Sequence, residues 1–212
     1  MPPTCHNTGI YDRNRPFHTT ISPSMDILIS SNLERLLFDL SGENDAEIRM
    51  YMDALGSAGR YQVSDNIKAK LDDAFWGGCC SEEGTEETIR RYWQDHNYLI
   101  DPHTAVAYKV AEQLRGENPV LIASTAHWAK FGENVYRALH NLKPGENLPE
   151  QVASLSGCEL NELIADEAHC HNIPRGLAEL DSLPIRFSET ISGTTEAIEE
   201  AVDSFLLDKD AE

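Results

Sequence analysis

The chain has 212 residues, 41% of them hydrophobic and 25% charged, so it can build a buried core of ordinary soluble composition. Seventeen Lys and Arg against 36 Asp and Glu leave a formal net charge of −19, which argues against nucleic acid and anionic membrane as partners, since both need a positive footprint. No apolar run reaches the length of a membrane span, no basic-then-apolar leader follows Met1, and the odd set Cys5, Cys79, Cys80, Cys158 and Cys170 does not suit a secreted disulfide framework. A cytoplasmic protein with reduced thiols is expected.

Residues 1–20 are polar and turn-rich. A short apolar run at 27–29 follows Pro23, and its length leaves strand and helix open. Leu33, Leu36, Leu37 and Leu40 fall at helical spacing, with Ser30 or Ser31 to cap the start and Ser41-Gly42 to end it. A second helix is predicted over 45–55, a short strand at 61–63, and a helix capped by Ser64 that carries Ile67 and Leu71. The stretch 75–80 reads as a buried strand weakened by Gly77 and Gly78, with Cys79 and Cys80 as small core residues. Thr85 opens a helix with an acidic first turn.

Asp101-Pro102 is a strong start signal, a capping carboxylate followed by proline at the first helical position, and Ala105, Val106, Val110 and Leu114 form the stripe behind it. Residues 120–123 form an apolar run bounded by turn residues, which predicts a buried parallel strand. Ser124, Thr125 and His127 follow at its carboxyl end, and Phe131, Val135 and Leu139 mark the next helix. The segment 141–190 is irregular apart from one helix over 160–169 and a candidate strand at 184–187. Residues 191–212 form a terminal helix, capped by Thr194 or Thr195, and a tail. Strands alternating with helices predict an α/β protein with a mostly parallel sheet and flanking helices.

In such a sheet, ligands sit beyond the carboxyl ends of strands. That singles out Ser124 and Thr125, two hydroxyls beside a helix start, which can serve either a small polar ligand or the helix as a cap. His103 can face the same site or be an ordinary polar residue of a first helical turn. No Gly-x-Ser-x-Gly elbow, Walker loop or Gly-x-Gly-x-x-Gly occurs. His169-Cys170-His171 lacks a partner pair at ligand spacing, so no metal is expected.

Several stretches carry a family resemblance. Thr8-Gly9-Ile10-Tyr11-Asp12-Arg13, Ser22-Pro23-Ser24-Met25-Asp26-Ile27 and Ser30-Ser31-Asn32-Leu33-Glu34-Arg35 resemble, in order, a series found in threonine synthases. Tyr98-Leu99-Ile100-Asp101-Pro102-His103-Thr104-Ala105 and Ser124-Thr125-Ala126-His127-Trp128-Ala129-Lys130-Phe131 continue it, with weaker matches at Pro174-Arg175-Gly176-Leu177 and 184–187. The series spans nearly the whole chain, 1–212, as the carboxy-terminal portion of that family's catalytic fold.

The resemblance implies an incomplete part of a type II pyridoxal-phosphate enzyme fold, akin to the tryptophan synthase β-subunit group. It implies pyridoxal 5'-phosphate as cofactor of the complete enzyme, and conversion of O-phospho-L-homoserine and water to L-threonine and phosphate. It places a hydroxyl on the cofactor's pyridine nitrogen at Thr125, with Ser124 as the alternative. Trp128 stands where the family has proline, which is expected to reshape the strand end slightly. The family's S-F-K-D motif, which carries the Schiff-base lysine, and its G-N-F-G phosphate loop do not occur here. A fragment that is inactive alone is therefore expected, with self-association through exposed apolar surface. The alternative is a non-catalytic truncated homologue acting as an interaction or small-ligand module.

Overall fold

The computed structural model describes residues 5–143, 146–186, 188 and 190–209, without the side chains of 5, 6, 208 and 209. α1 (Cys5–Thr8) and β1 (Ile10–Asp12) lead through an irregular stretch, with a 3-10 turn at Pro23–Met25, into α2 (Ser31–Leu40) and α3 (Asp45–Ala58). β2 (Arg60–Gln62) returns antiparallel to β1, pairing Tyr11 with Tyr61, and α4 (Asp65–Ala74) follows. α2, α3, β2 and α4 close a first core around Leu37, Tyr51, Ile67 and Leu71. The Tyr61 ring stacks between Tyr11 and Tyr51, with centroids 5.4 and 5.2 Å away.

α5 (Glu82–His96), α6 (Pro102–Leu114) and α7 (Gly132–His140) pack with α8 (Glu150–Ala153) and α9 (Gly157–Glu167) around a second core that includes Ile89, Trp128, Val135 and Ile164. α10 (Arg175–Ala178) and α11 (Thr195–Lys209) complete the helices. Among the described residues, no helix is long and apolar enough to cross a membrane.

Side-chain caps set five of the helix starts. Asn44, Ser64, Ser81 and Asp101 each accept a backbone N–H from the first turn, and Ser156 forms a reciprocal capping box with Glu159. α3 stops where Gly59 takes a left-handed conformation (φ 72°), and a Cβ there would lie 2.4 Å from Asn14. α5 starts before Thr85, because Ser81 is its cap. The Thr85 hydroxyl donates back to the Ser81 carbonyl at 2.9 Å.

The expected mostly parallel sheet is not what forms. Helices dominate, and among the described residues the only sheet is the two-stranded antiparallel β1–β2 pair. The run at 120–123 is not a strand, and Leu121 is 99% exposed. A strand needs a neighbour to take its N–H and C=O groups, and among the described residues no strand pairs with this run. For the same reason 75–80 and 184–186 are irregular, with Trp76 and Ile185 exposed; Phe187 lies outside the described residues. Cys79 is exposed and Cys80 only half-buried, so neither is a core residue.

Candidate active site

The site grows from the start of α6. Asp101 is 1% exposed, and its carboxylate caps the helix by accepting from the backbone N–H groups of His103 (2.9 Å) and Thr104 (3.3 Å). It also accepts the Thr104 hydroxyl and the His103 ring. These bonds fix the proton positions. The Ser24 N–H donates to His103 Nε2 at 3.1 Å, so Nε2 is an acceptor and Nδ1 carries the hydrogen that reaches Asp101 at 3.2 Å. Thr104 gives its proton to Asp101 Oδ2. Its oxygen therefore accepts from Ser124, whose Oγ lies 2.9 Å away.

A directed chain of hydrogen bonds thus runs from Ser124 through Thr104 to a buried carboxylate. It ties together three stretches far apart in sequence: 22–25, 101–104 and 124. His103 is buried and packs on Phe131 with ring centroids 4.9 Å apart. It is a linking residue rather than an idle first-turn polar group. The Ser24 contact is the part that sequence reasoning missed. Only the recurrence of Ser22-Pro23-Ser24-Met25 and Asp101-Pro102-His103-Thr104 in one series hinted at it.

Ser124 and Thr125 both lie at the surface, but their hydroxyls differ. The Ser124 proton is committed inward to Thr104, with the Ala126 carbonyl a more distant acceptor at 3.4 Å. Among the described residues, no hydrogen bond engages the Thr125 hydroxyl, so it keeps a donor for an incoming acceptor. Neither residue caps a helix. That role falls to His127, whose Nδ1 accepts from the Ala129 N–H at 3.2 Å at the start of a 3-10 turn (Trp128–Lys130). Burial holds the His127 imidazole below its usual pKa, against an opposing hydrogen bond to the Asn172 backbone.

Trp128 is 1% exposed, and its indole N–H donates to Asn172 Oδ1 at 3.0 Å. It anchors the far side of the 124–127 tip in the second core. Among the described residues, no three His, Cys, Asp or Glu side chains gather to hold a metal ion. His169 takes a left-handed turn (φ 52°), and Cys170 is buried and bonded to Asn172.

A free hydroxyl donor beside a locked one leaves Thr125 able to donate to an acceptor that a ligand brings. Residues 104–202 match the family model "Threonine synthase, C-terminal". The threonine synthase of Pseudomonas aeruginosa is 34% identical over 174 residues, 81% of this chain and 35% of that protein. Two solved threonine synthases share the architecture. The one from yeast has a TM-score of 0.72 at 27% identity, over 96% of this chain and 40% of its own. The pyridoxal-phosphate-bound one from Brucella melitensis has a TM-score of 0.62 at 31% identity, over 80% and 38%. The chain spans about two fifths or less of each of these proteins. By family model, identity and shared architecture, the chain matches the carboxy-terminal portion of threonine synthases.

Proposed function

We propose that this chain supplies one wall of a pyridoxal-phosphate site in an enzyme that converts O-phospho-L-homoserine and water to L-threonine and phosphate. The observation that carries this reading is the division of labour between Ser124 and Thr125: one hydroxyl is locked inward and its neighbour is left free to donate outward. When bound, pyridoxal phosphate supplies the electron sink for proton removal from an amino acid. Thr125 is the residue to hold its pyridine nitrogen. A neutral hydroxyl donates a hydrogen bond there without placing a full proton on the ring, which tunes the sink differently from a carboxylate. Asp101, His103 and Thr104 keep the tip in register, and Ser124 shields the base of the contact.

The sequence contains neither the S-F-K-D nor the G-N-F-G motif. The covalent lysine and the phosphate cradle of the proposed enzyme are therefore not among these 212 residues, which by themselves make no threonine. The acidic balance disfavours nucleic acid and membranes as partners. Cys79, Cys80, Cys158 and Cys170 are free thiols, which suits the cytoplasm.

The test is complementation. The purified chain is assayed for phosphate release from O-phospho-L-homoserine with pyridoxal phosphate, alone and with the amino-terminal part of the Pseudomonas aeruginosa relative. Turnover is expected only in the mixture, and Thr125→Val should depress it while Ser124→Ala depresses it less. Turnover by the chain alone, or an unaffected Thr125→Val mixture, overturns the reading.

A second reading, a non-catalytic chain that acts through exposed apolar surface, is favoured by the exposure of Trp76, Leu121 and Ile185. It predicts self-association of the chain and no response to the complementing fragment.

A further inference from the structure

Cys79 and Cys80 are neighbouring free thiols that the candidate site does not use. Cys79 is exposed and Cys80 half-buried. They bridge two anchored stretches. Before them, the Gly77 carbonyl accepts from Asn7 Nδ2 at 3.3 Å, and Gly78 lies so close to α6 that a Cβ there would stand 2.5 Å from Val110 Cγ1. After them, Ser81 caps α5 by accepting the Gly84 N–H at 3.1 Å. Among the described residues, no hydrogen bond engages the backbone of either cysteine, so the peptide between them can turn without breaking a helix or strand bond.

The Cys80 sulfur has a place of its own. It donates to the Ser81 carbonyl at 3.4 Å and rests on the first turn of α5, where a Cβ on Gly84 would lie 3.0 Å from it. Glycine at 84 leaves room for it. The same turn holds the loop that serves the candidate site. Glu82 accepts the Ile21 N–H at 2.8 Å, and three residues further on the Ser24 N–H reaches His103. A bond that draws the Cys80 sulfur off Gly84 therefore pulls on the Ser81 cap and on the Glu82–Ile21 contact.

We propose that Cys79 and Cys80 are a modification site for low-molecular-weight disulfides, and that their oxidation loosens the start of α5 from the loop at 20–25. The exposed Cys79, as thiolate, attacks the small disulfide R–S–S–R. A Cys79–S–S–R bond forms and one R–S⁻ leaves. Cys80, as thiolate, then attacks the Cys79 sulfur, the 79–80 disulfide forms and the second R–S⁻ leaves. The pair gives up two electrons and two protons, and the small disulfide becomes two thiols. Adjacent Cα atoms lie about 3.8 Å apart, short of the roughly 4.4–6.8 Å that a disulfide ordinarily spans, so the product is readily reduced again. It is a reversible mark and not a structural bridge.

The test incubates the reduced 212-residue chain with glutathione disulfide, blocks the remaining thiols with iodoacetamide in denaturant and maps the peptides by mass. The peptide that carries both cysteines should lose two hydrogens and take no label, and dithiothreitol should restore both thiols. Cys80→Ser should stop at one glutathione on Cys79. In the oxidised chain the Ile21 amide should exchange with deuterium about tenfold faster. The double variant Cys79→Ser, Cys80→Ser, treated in the same way, should show no such rise. The proposal is overturned if the pair stays labelled, if the wild type stops at a glutathione adduct, or if either residue is bridged to a different cysteine. It is overturned equally if Ile21 exchanges at the same rate in both redox states, or if the double variant responds as the wild type does.

Discussion

Replacing Asp101 is the most direct perturbation of the candidate site. The carboxylate accepts two backbone N–H groups, a hydroxyl and an imidazole N–H, all in a place closed to water. Asp101→Ala removes a helix cap, at about 0.5–2 kcal/mol. It also strands the Thr104 hydroxyl and the His103 Nδ1–H as buried donors, at roughly 1–3 kcal/mol each. Allowing for relaxation, the expected loss is about 3–5 kcal/mol. Asp101→Asn keeps one acceptor oxygen for the His103 and Thr104 amides. Its NH₂ faces the Thr104 oxygen, which can rotate to accept from it and donate to Ser124. The loss should then be about 1–2 kcal/mol, and the hydrogen-bond direction along Thr104–Ser124 reverses. Urea unfolding followed by tryptophan fluorescence reports on this, since Trp93 and Trp128 belong to the core that carries α6. With an m-value of roughly 2–3 kcal/mol/M, the alanine variant should shift the midpoint by more than about 1 M. A loss under about 1 kcal/mol in Asp101→Ala, or equal losses in the two variants, would refute the four-bond account.

Other substitutions probe neighbouring parts of the structure. Trp128→Pro empties a fully buried site and should cost about 3–5 kcal/mol by the same unfolding assay. Tyr11→Phe removes a hydroxyl that donates to the Leu28 carbonyl and accepts the Ser30 N–H, and should cost about 1–2 kcal/mol. His127 has a folded pKa below its ordinary 6.5, so the folded state binds a proton less readily than the unfolded chain. Its contribution to stability is complete above about pH 6.5 and is lost as pH falls through that value towards the folded pKa, so the stability profile of His127→Gln should be flatter there. Leu121→Lys places a charge on the most exposed leucine and should reduce self-association in size-exclusion chromatography, with the thermal midpoint unchanged.

What the sequence disclosed was mostly local. Leu33, Leu36, Leu37 and Leu40 announced α2, and the Asp101-Pro102 and Ser64 caps placed two helix starts correctly, because a cap and an apolar stripe act within a few residues. Ser156 and Glu159 form a capping box that sets the start of α9 a turn before the apolar residues show it. Apolarity does not by itself predict the parallel sheet, because it marks a segment that wants covering, whereas a strand exists only beside another strand. Residues 120–123 have the first property without the second. At the site, Ser124 and Thr125 were equal candidates from spacing alone. What separates them is the Thr104 hydroxyl, twenty residues away, and the orientation that Asp101 imposes on it.

The tip at 124–127 therefore holds its shape for reasons that do not depend on the segment before it. On one side Ser124 is bonded to a helix cap through Thr104. On the other, His127 caps its own 3-10 turn and Trp128 is sunk in the second core. In the apolar run before it, Val120, Leu121 and Ala123 are exposed. Local anchors and missing cover thus divide at Ser124. A group that must meet a ring nitrogen within hydrogen-bonding distance gains from being placed by short, directional bonds, because its position then survives changes in what covers the neighbouring chain. On this reasoning, polar substitutions at 120–123 alter association and leave the Ser124–Thr104 bond in place, whereas substitutions at Asp101 or Thr104 free the tip without altering the apolar surface.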